Sequence, residues 1–217
     1  MLEDRSVDVS EPGSSEDCLF LKLVSTFLEM WEKTRTFRLL SGYLVYLQLE
    51  TSNLIFVRGG YVVGNASLYN GNDLLREAGG GVVAVFIQYR LGVFGFLPGE
   101  KVKESGALNA GLLDQQVALQ WVRKYISKFG GDPDLVTIWG ESAGAGSVLQ
   151  HVIANDGNTR PPLFRAAITS STFLPSQYHY NDPISEALYD EVVNQTNNPH
   201  LSHLLFVTCF CQSRLQR

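Results

Sequence analysis

The chain is short of cysteine, of positive charge and of long apolar runs. Its three cysteines are Cys18, Cys209 and Cys211. An odd count rules out a fully paired internal disulfide framework. Cys209-Phe210-Cys211 lacks the spacing of a metal knuckle and no second Cys/His pair is suitably placed, so no metal site is expected. Lys and Arg number 17 against 22 Asp and Glu, a formal net charge of -5. No basic stripe interrupts that balance, which argues against nucleic acid as a partner. The charges are also too scattered for an acidic tail or a membrane-surface patch. The most apolar stretches, Leu39 to Leu49 and Leu201 to Cys211, fall short of the ~20 residues that span a bilayer, so no transmembrane segment is expected. Met1-Leu2-Glu3-Asp4-Arg5 is acidic where a secretory leader needs a basic end and then an apolar run, so no signal peptide is expected. There are no internal repeats and no linker that divides the chain in two.

What is present reads as one soluble globular domain: 217 residues, 45% hydrophobic and 18% charged, enough for a sizeable core. Oligomeric state does not follow from composition. Residues 1–17 read as a loose lead-in. Strands are expected at Cys18–Leu23, Tyr43–Leu49, Leu54–Val57, Val82–Tyr89, Leu135–Trp139 and Phe164–Thr169. Thr26 to Leu40 has weak helical periodicity. The continuous run Val82–Tyr89 suits a strand buried on both faces of a parallel sheet. Leu112–Phe129 is the clearest helix, with Leu113, Val117, Trp121 and Tyr125 at helical intervals and Val122, Ile126 and Phe129 widening the stripe. Asp114 near its start and Arg123, Lys124 and Lys128 near its end suit the helix dipole, and Gly130-Gly131 stops it. Further helices are expected after Ser142 and over Ile184–Val193. Alternation of strand and helix predicts an α/β fold with a mostly parallel central sheet flanked by helices.

The richest motif is Gly140-Glu141-Ser142-Ala143-Gly144, directly after a β-branched run and before a helix-forming one. That is the form of a nucleophile elbow, in which a tight strand-to-helix turn pushes the serine Oγ outward. A hydroxyl is a poor nucleophile near neutral pH and needs a base for its proton and donors for the oxyanion. The Ala143 amide supplies one donor. Gly59 and Gly60, following a strand, suit the rest of an oxyanion hole.

Several longer motifs carry a resemblance. Ser15-Glu16-Asp17-Cys18-Leu19-Phe20-Leu21, Gln88-Tyr89-Arg90-Leu91-Gly92-Val93-Phe94-Gly95-Phe96-Leu97, Asn109-Ala110-Gly111-Leu112-Leu113-Asp114-Gln115-Gln116, Phe129-Gly130-Gly131-Asp132-Pro133 and Val136 through Val148 occur in this order. Together they resemble the type-B carboxylesterase/lipase family, which includes cholinesterases and fungal secreted lipases. Tyr69-Asn70-Gly71 and Leu163-Phe164-Arg165 look most like the fungal members. The resemblance implies an α/β-hydrolase fold and a serine carboxylic-ester hydrolase that acts on small-molecule or lipid esters without cofactor or metal. It implies Ser142 as nucleophile and Gly59, Gly60 and Ala143 as oxyanion donors. It also implies a buried Glu16–Arg90 salt bridge, a structural role for Asp114, and secretion. The sequons at Asn65 and Asn194 are glycosylation candidates that fit a secreted family.

The match has gaps. The likeness covers a partial hydrolase domain over residues 14–196, within which 24–53 does not match, and 197–217 forms a divergent tail. A reading-frame slip or retained intron accounts for 24–53, because Ser41–Val45 read one base over comes close to the family pattern. The family's first disulfide joins the cysteine matching Cys18 to one in a preceding region that has no counterpart here. Arg58 stands where the family has the first glycine of its oxyanion triple. The family's triad runs serine, acid, histidine, with the last two far downstream of the elbow. His151, His179, His200 and His203 do not match the catalytic histidine, so this chain alone is expected to be inactive. A non-catalytic cholinesterase-like binding module and a mispredicted or pseudogene product are the alternatives.

Overall fold

The structure, a computed structural model, describes residues 21–25, 43–47, 53–57, 61–62, 71–79 and 81–196. The elements run β1 (Leu21–Ser25), β2 (Tyr43–Leu47), β3 (Asn53–Val57), α1 (Gly71–Glu77), β4 (Val83–Ile87), α2 (Gly92–Phe96), α3 (Glu100–Ser105), α4 (Ala110–Tyr125), β5 (Val136–Glu141), α5 (Ala143–Ile153), β6 (Ala166–Ser170) and α6 (Pro183–Thr196). Every expected strand forms, with ends moved by a few residues. The weak helical pattern of Thr26–Leu40 and the lead-in 1–17 lie outside the described residues.

One sheet holds all six strands in the order β1-β4-β2-β3-β5-β6. Its second half is parallel: Ile55 stands opposite Ile138 and Trp139 opposite Ile168. The first half is largely antiparallel, β4 pairing in that sense with β1 and β2 and parallel to β3 only at Leu54–Ala84. All five residues of β4 are buried, as its unbroken apolar run requires. That burial comes from elements covering both faces rather than from parallel neighbours, since two of its three ladders are antiparallel.

The core gathers β4, β5, α4 and α5 around Val85, Ile87, Tyr89, Leu119, Val122, Ile126, Ile138 and Val148. Helix α4 keeps part of the expected stripe, with Val122 and Ile126 buried and Trp121 and Phe129 packed against the core, but its first half turns differently. Gly111, Gln115, Leu119 and Val122 are the buried positions, whereas Leu113 and Val117 are about 40% exposed. Apolar spacing alone misplaced the stripe there because a glycine and a glutamine occupy core positions, the first for close approach and the second for a hydrogen bond described below. The helix passes into a 3-10 turn over Ile126–Phe129 and stops where the Gly131 N–H reaches Ile126 O at 3.1 Å, at the predicted glycine pair. Strand β6 has four exposed residues of five, whereas β4 is wholly buried and β5 has no exposed residue.

Candidate active site

Strand β5 delivers Ser142 to the carboxyl end of the parallel ladders, and α5 starts at the next residue. Ser142 has φ 57° and ψ -123°, a conformation costing an L-residue on the order of 1–3 kcal/mol, which the surroundings must offset. Three backbone hydrogen bonds do so. The Ser142 N–H donates to Ser170 O at 3.0 Å, and the Ser142 carbonyl accepts from Gly146 N at 3.2 Å and Phe173 N at 3.1 Å. The turn is thus pinned by β6, by the first turn of α5 and by the loop after β6.

The glycines answer to close approach. A Cβ on Gly140 would lie 2.2 Å from Gly144 O, and one on Gly146 would lie 2.3 Å from Phe173 O and 2.7 Å from the Tyr61 hydroxyl. Small side chains from Ala143 to Ser147 are all buried, so the first turns of the helix approach the sheet closely. Ser142 itself is half-buried and makes no capping bond to the helix it begins. Its hydroxyl is therefore not spent on the local fold. The Ala143 amide is the first of α5, one of the four N–H groups that a helix leaves without an internal acceptor.

A buried polar chain crosses the helices next to this turn. Gln115 Nε2 donates to Ser147 Oγ at 3.2 Å, and Gln115 Oε1 meets His151 Nε2 at 2.8 Å. An amide oxygen only accepts, so Nε2 of His151 carries the proton. Ser147 also bonds the Tyr61 hydroxyl; burial raises the Tyr61 pKa and this bond partly offsets the rise. Burial pulls His151 down to about 4, so it is neutral at ordinary pH. Tyr61 is anchored further by its carbonyl, which accepts from Gly92 N at 2.8 Å, and by an edge contact with Phe96 at 5.0 Å. None of this chain was foreseen from the sequence. The signal available was the i, i+4 pair Ser147/His151 on α5.

Arg90 and Asp114 form a near-buried pair. Arg90 Nε donates to Asp114 Oδ2 at 2.8 Å and Nη2 to Oδ1 at 2.9 Å, while the Arg90 backbone N–H reaches Oδ2 at 3.0 Å. Asp114 is thus structural, as expected, but its partner is a guanidinium rather than the helix dipole. It sits in the second turn of α4, past the free N–H groups.

Gly59, Gly60, Arg58, Glu16, Cys18, Asn65, His200, His203, Cys209 and Cys211 lie outside the described residues. Of the described histidines, His151 is nine residues along α5 from Ser142, about 13 Å at the rise of a helix, with Nε2 committed to Gln115. His179 is exposed and bonds Asn181. Asn194 is exposed in the last turn of α6. Among the described residues no helix is long and apolar enough to cross a membrane.

The carboxylesterase family profile matches residues 2–216, and the chain belongs to that family. It is 42% identical over 142 residues to the secreted triacylglycerol lipase LIP1 of Gibberella zeae, covering 62% of this chain and 24% of that protein. It is 42% identical over 195 residues to the carboxylesterase patB of Aspergillus clavatus, covering 86% of this chain and 33% of that one. Among solved structures, Aspergillus niger EstA superposes with a TM-score of 0.64 at 35% identity, over 80% of this chain and 36% of EstA. A PNB esterase gives 0.66 at 30% identity, over 91% and 36%. The chain thus spans about a quarter to a third of the length of these relatives, and the fold is that of the α/β-hydrolase esterases.

Proposed function

We propose that this chain is the nucleophile-bearing part of a serine carboxylic-ester hydrolase. Ser142 attacks the ester carbonyl, the alcohol leaves, and an acyl group stays on Oγ. The oxyanion is held by the amides of Ala143, Gly59 and Gly60, each such donor contributing about 3 kcal/mol to the transition state. Water then releases the acid. The observation that carries this reading is the strained Ser142 backbone at a strand-to-helix junction, with a hydroxyl that caps nothing. The substrate class is a small-molecule or lipid ester, since relatives named lipase and carboxylesterase are equally similar. We place the partial hydrolase domain at 14–196, with 24–53 as a departing segment, inside the 2–216 over which the family profile matches. Secretion follows from relatives named as secreted lipases, with Asn65 and Asn194 as glycan acceptors.

The chain by itself does not turn over. His151 is locked to Gln115 and remote from Ser142, and His179 is turned to Asn181, so neither takes the Ser142 proton. The oxyanion donors alone sustain about 10³-fold over water when a triad member is lost, enough for slow acylation but not for release. Incubation of the 217-residue chain with p-nitrophenyl acetate, followed by intact-mass and peptide mapping, should find one slowly formed acetyl group on Ser142. The Ser142→Ala chain should remain unlabelled. Acetyl groups spread over other serines, at a rate unchanged in that variant, would count against Ser142 as nucleophile.

A further inference from the structure

The end of α5 opposite Ser142 borders a cleft. It lies between the last turns of α4 and the loop that follows α5, and has a volume of about 320 Å³. Helix α5 has 11 residues, so about 16 Å of helix separates this cleft from the nucleophile. In a chain of net charge -5, three cations meet here: Arg123, Lys124 and Arg160 line it together with Gln120, Asn155 and Thr159. Among the described residues that line it there is no carboxylate.

The two arginines are only partly engaged, and Lys124 Nζ lies over the Tyr125 ring, 5.1 Å from its centroid. Arg123 uses Nη1 for Asp134 Oδ1 at 3.0 Å and Pro133 O at 3.5 Å, and Arg160 uses Nε for Asn158 Oδ1 at 2.8 Å. A guanidinium has five N–H donors, so both keep groups to offer. Asp134 is 74% exposed and Asp156 is exposed in the same loop, so water weakens their hold on the cluster. The loop wall is built rather than loose. Asn155 and Asp156 both take left-handed backbone, φ 54° and 57°. Asn155 Nδ2 donates to Thr159 Oγ1 at 3.1 Å, and Thr159 Oγ1 donates to Ala154 O at 3.3 Å. Paired arginines with fixed N–H forks suit a tetrahedral oxyanion better than a spherical halide.

We propose that this cleft binds a phosphate-type oxyanion through Arg123, Lys124 and Arg160. The ligand is a free phosphate or phosphomonoester, or a phosphate-bearing lipid headgroup. The site is independent of the ester chemistry at Ser142, and its test does not depend on activity.

The test is an amide NMR titration of the whole 217-residue chain with inorganic phosphate, ionic strength held constant with chloride. Saturable shifts confined to Arg123, Lys124, Asn155, Thr159 and Arg160 are expected. Arg123→Gln with Arg160→Gln should weaken binding by about a hundredfold, about tenfold per lost charge-assisted contact, at an unchanged melting temperature. Asp134→Asn releases Arg123 and should tighten binding a few-fold, which guards against a double variant that does not fold. Co-sedimentation with phosphatidate vesicles, competed by phosphate, supports the headgroup source; phosphate shifts without co-sedimentation support the soluble one. The proposal is overturned by the absence of saturation up to roughly 50 mM, where a millimolar site is filled. Equal shifts with chloride, or binding undiminished in the double variant, overturn it as well.

Discussion

The two ends of α5 carry the two residue types of a serine esterase and treat them in opposite ways. At the first end, Ser142 is strained in its backbone and free at its hydroxyl. At the other, His151 sits in relaxed helix and is bound through Nε2 to a buried glutamine. Strain with an uncommitted side chain is what a position held for chemistry would show, whereas a neutral, partly buried ring bonded to a buried glutamine fits a position held for packing. Serine and histidine on one helix therefore do not make a dyad, and the helix serves as a rigid arm for the serine alone.

The comparison breaks most sharply at Gly140. Gly140→Ala puts a methyl group 2.2 Å from the Gly144 carbonyl, backbone against backbone, so the turn has to open. Loss of cooperative melting, or destabilisation by more than about 3 kcal/mol, is expected in a thermal scan. A variant that melts like the parent would mean that the elbow is looser than described.

The His151 end is probed by pH. Its folded pKa of about 4 lies below the ordinary 6.5, so as pH falls the unfolded chain takes the proton first. This contribution to stability is complete above about pH 6.5 and is lost between there and pH 4, a change on the order of 3 kcal/mol. Urea midpoints measured across that window should fall, and His151→Leu should flatten the segment. A profile just as steep in the variant would assign the loss to other groups. Next in size, Gln115→Leu leaves the His151 N–H and the Ser147 hydroxyl short of a partner and should cost about 1–3 kcal/mol, read from the same urea midpoints.

The smallest effect is of opposite sign. Glycine takes φ 57° without steric cost, so Ser142→Gly should stabilise the chain by up to about 1 kcal/mol while removing the acyl acceptor. A destabilised variant would mean that the serine side chain supports the fold after all.

Much of this was legible in the residues. The elbow, the buried β4, the helix ending at Gly130-Gly131 and the parallel β3–β5–β6 ladders follow from local signals that the fold keeps. What was hidden depended on side chains meeting across elements. Gln115 reads as a surface residue until α5 places Ser147 and His151 over it. Leu113 and Val117 read as core until Gly111 and Gln115 are seen to hold that face. Arg123 and Lys124 satisfied a helix-dipole reading, and Arg160, more than 30 residues away, gave no sign of joining them.

The central proposal is that Ser142 is the nucleophile and that neither described histidine, His151 or His179, serves as its base. Steady-state hydrolysis of p-nitrophenyl acetate by the 217-residue chain, beside Ser142→Ala at pH 7 to 8, tests it most directly. The account predicts a single slow acylation of Ser142 and then no turnover above the Ala variant. Sustained turnover abolished by Ser142→Ala would contradict it and would require a base within this chain.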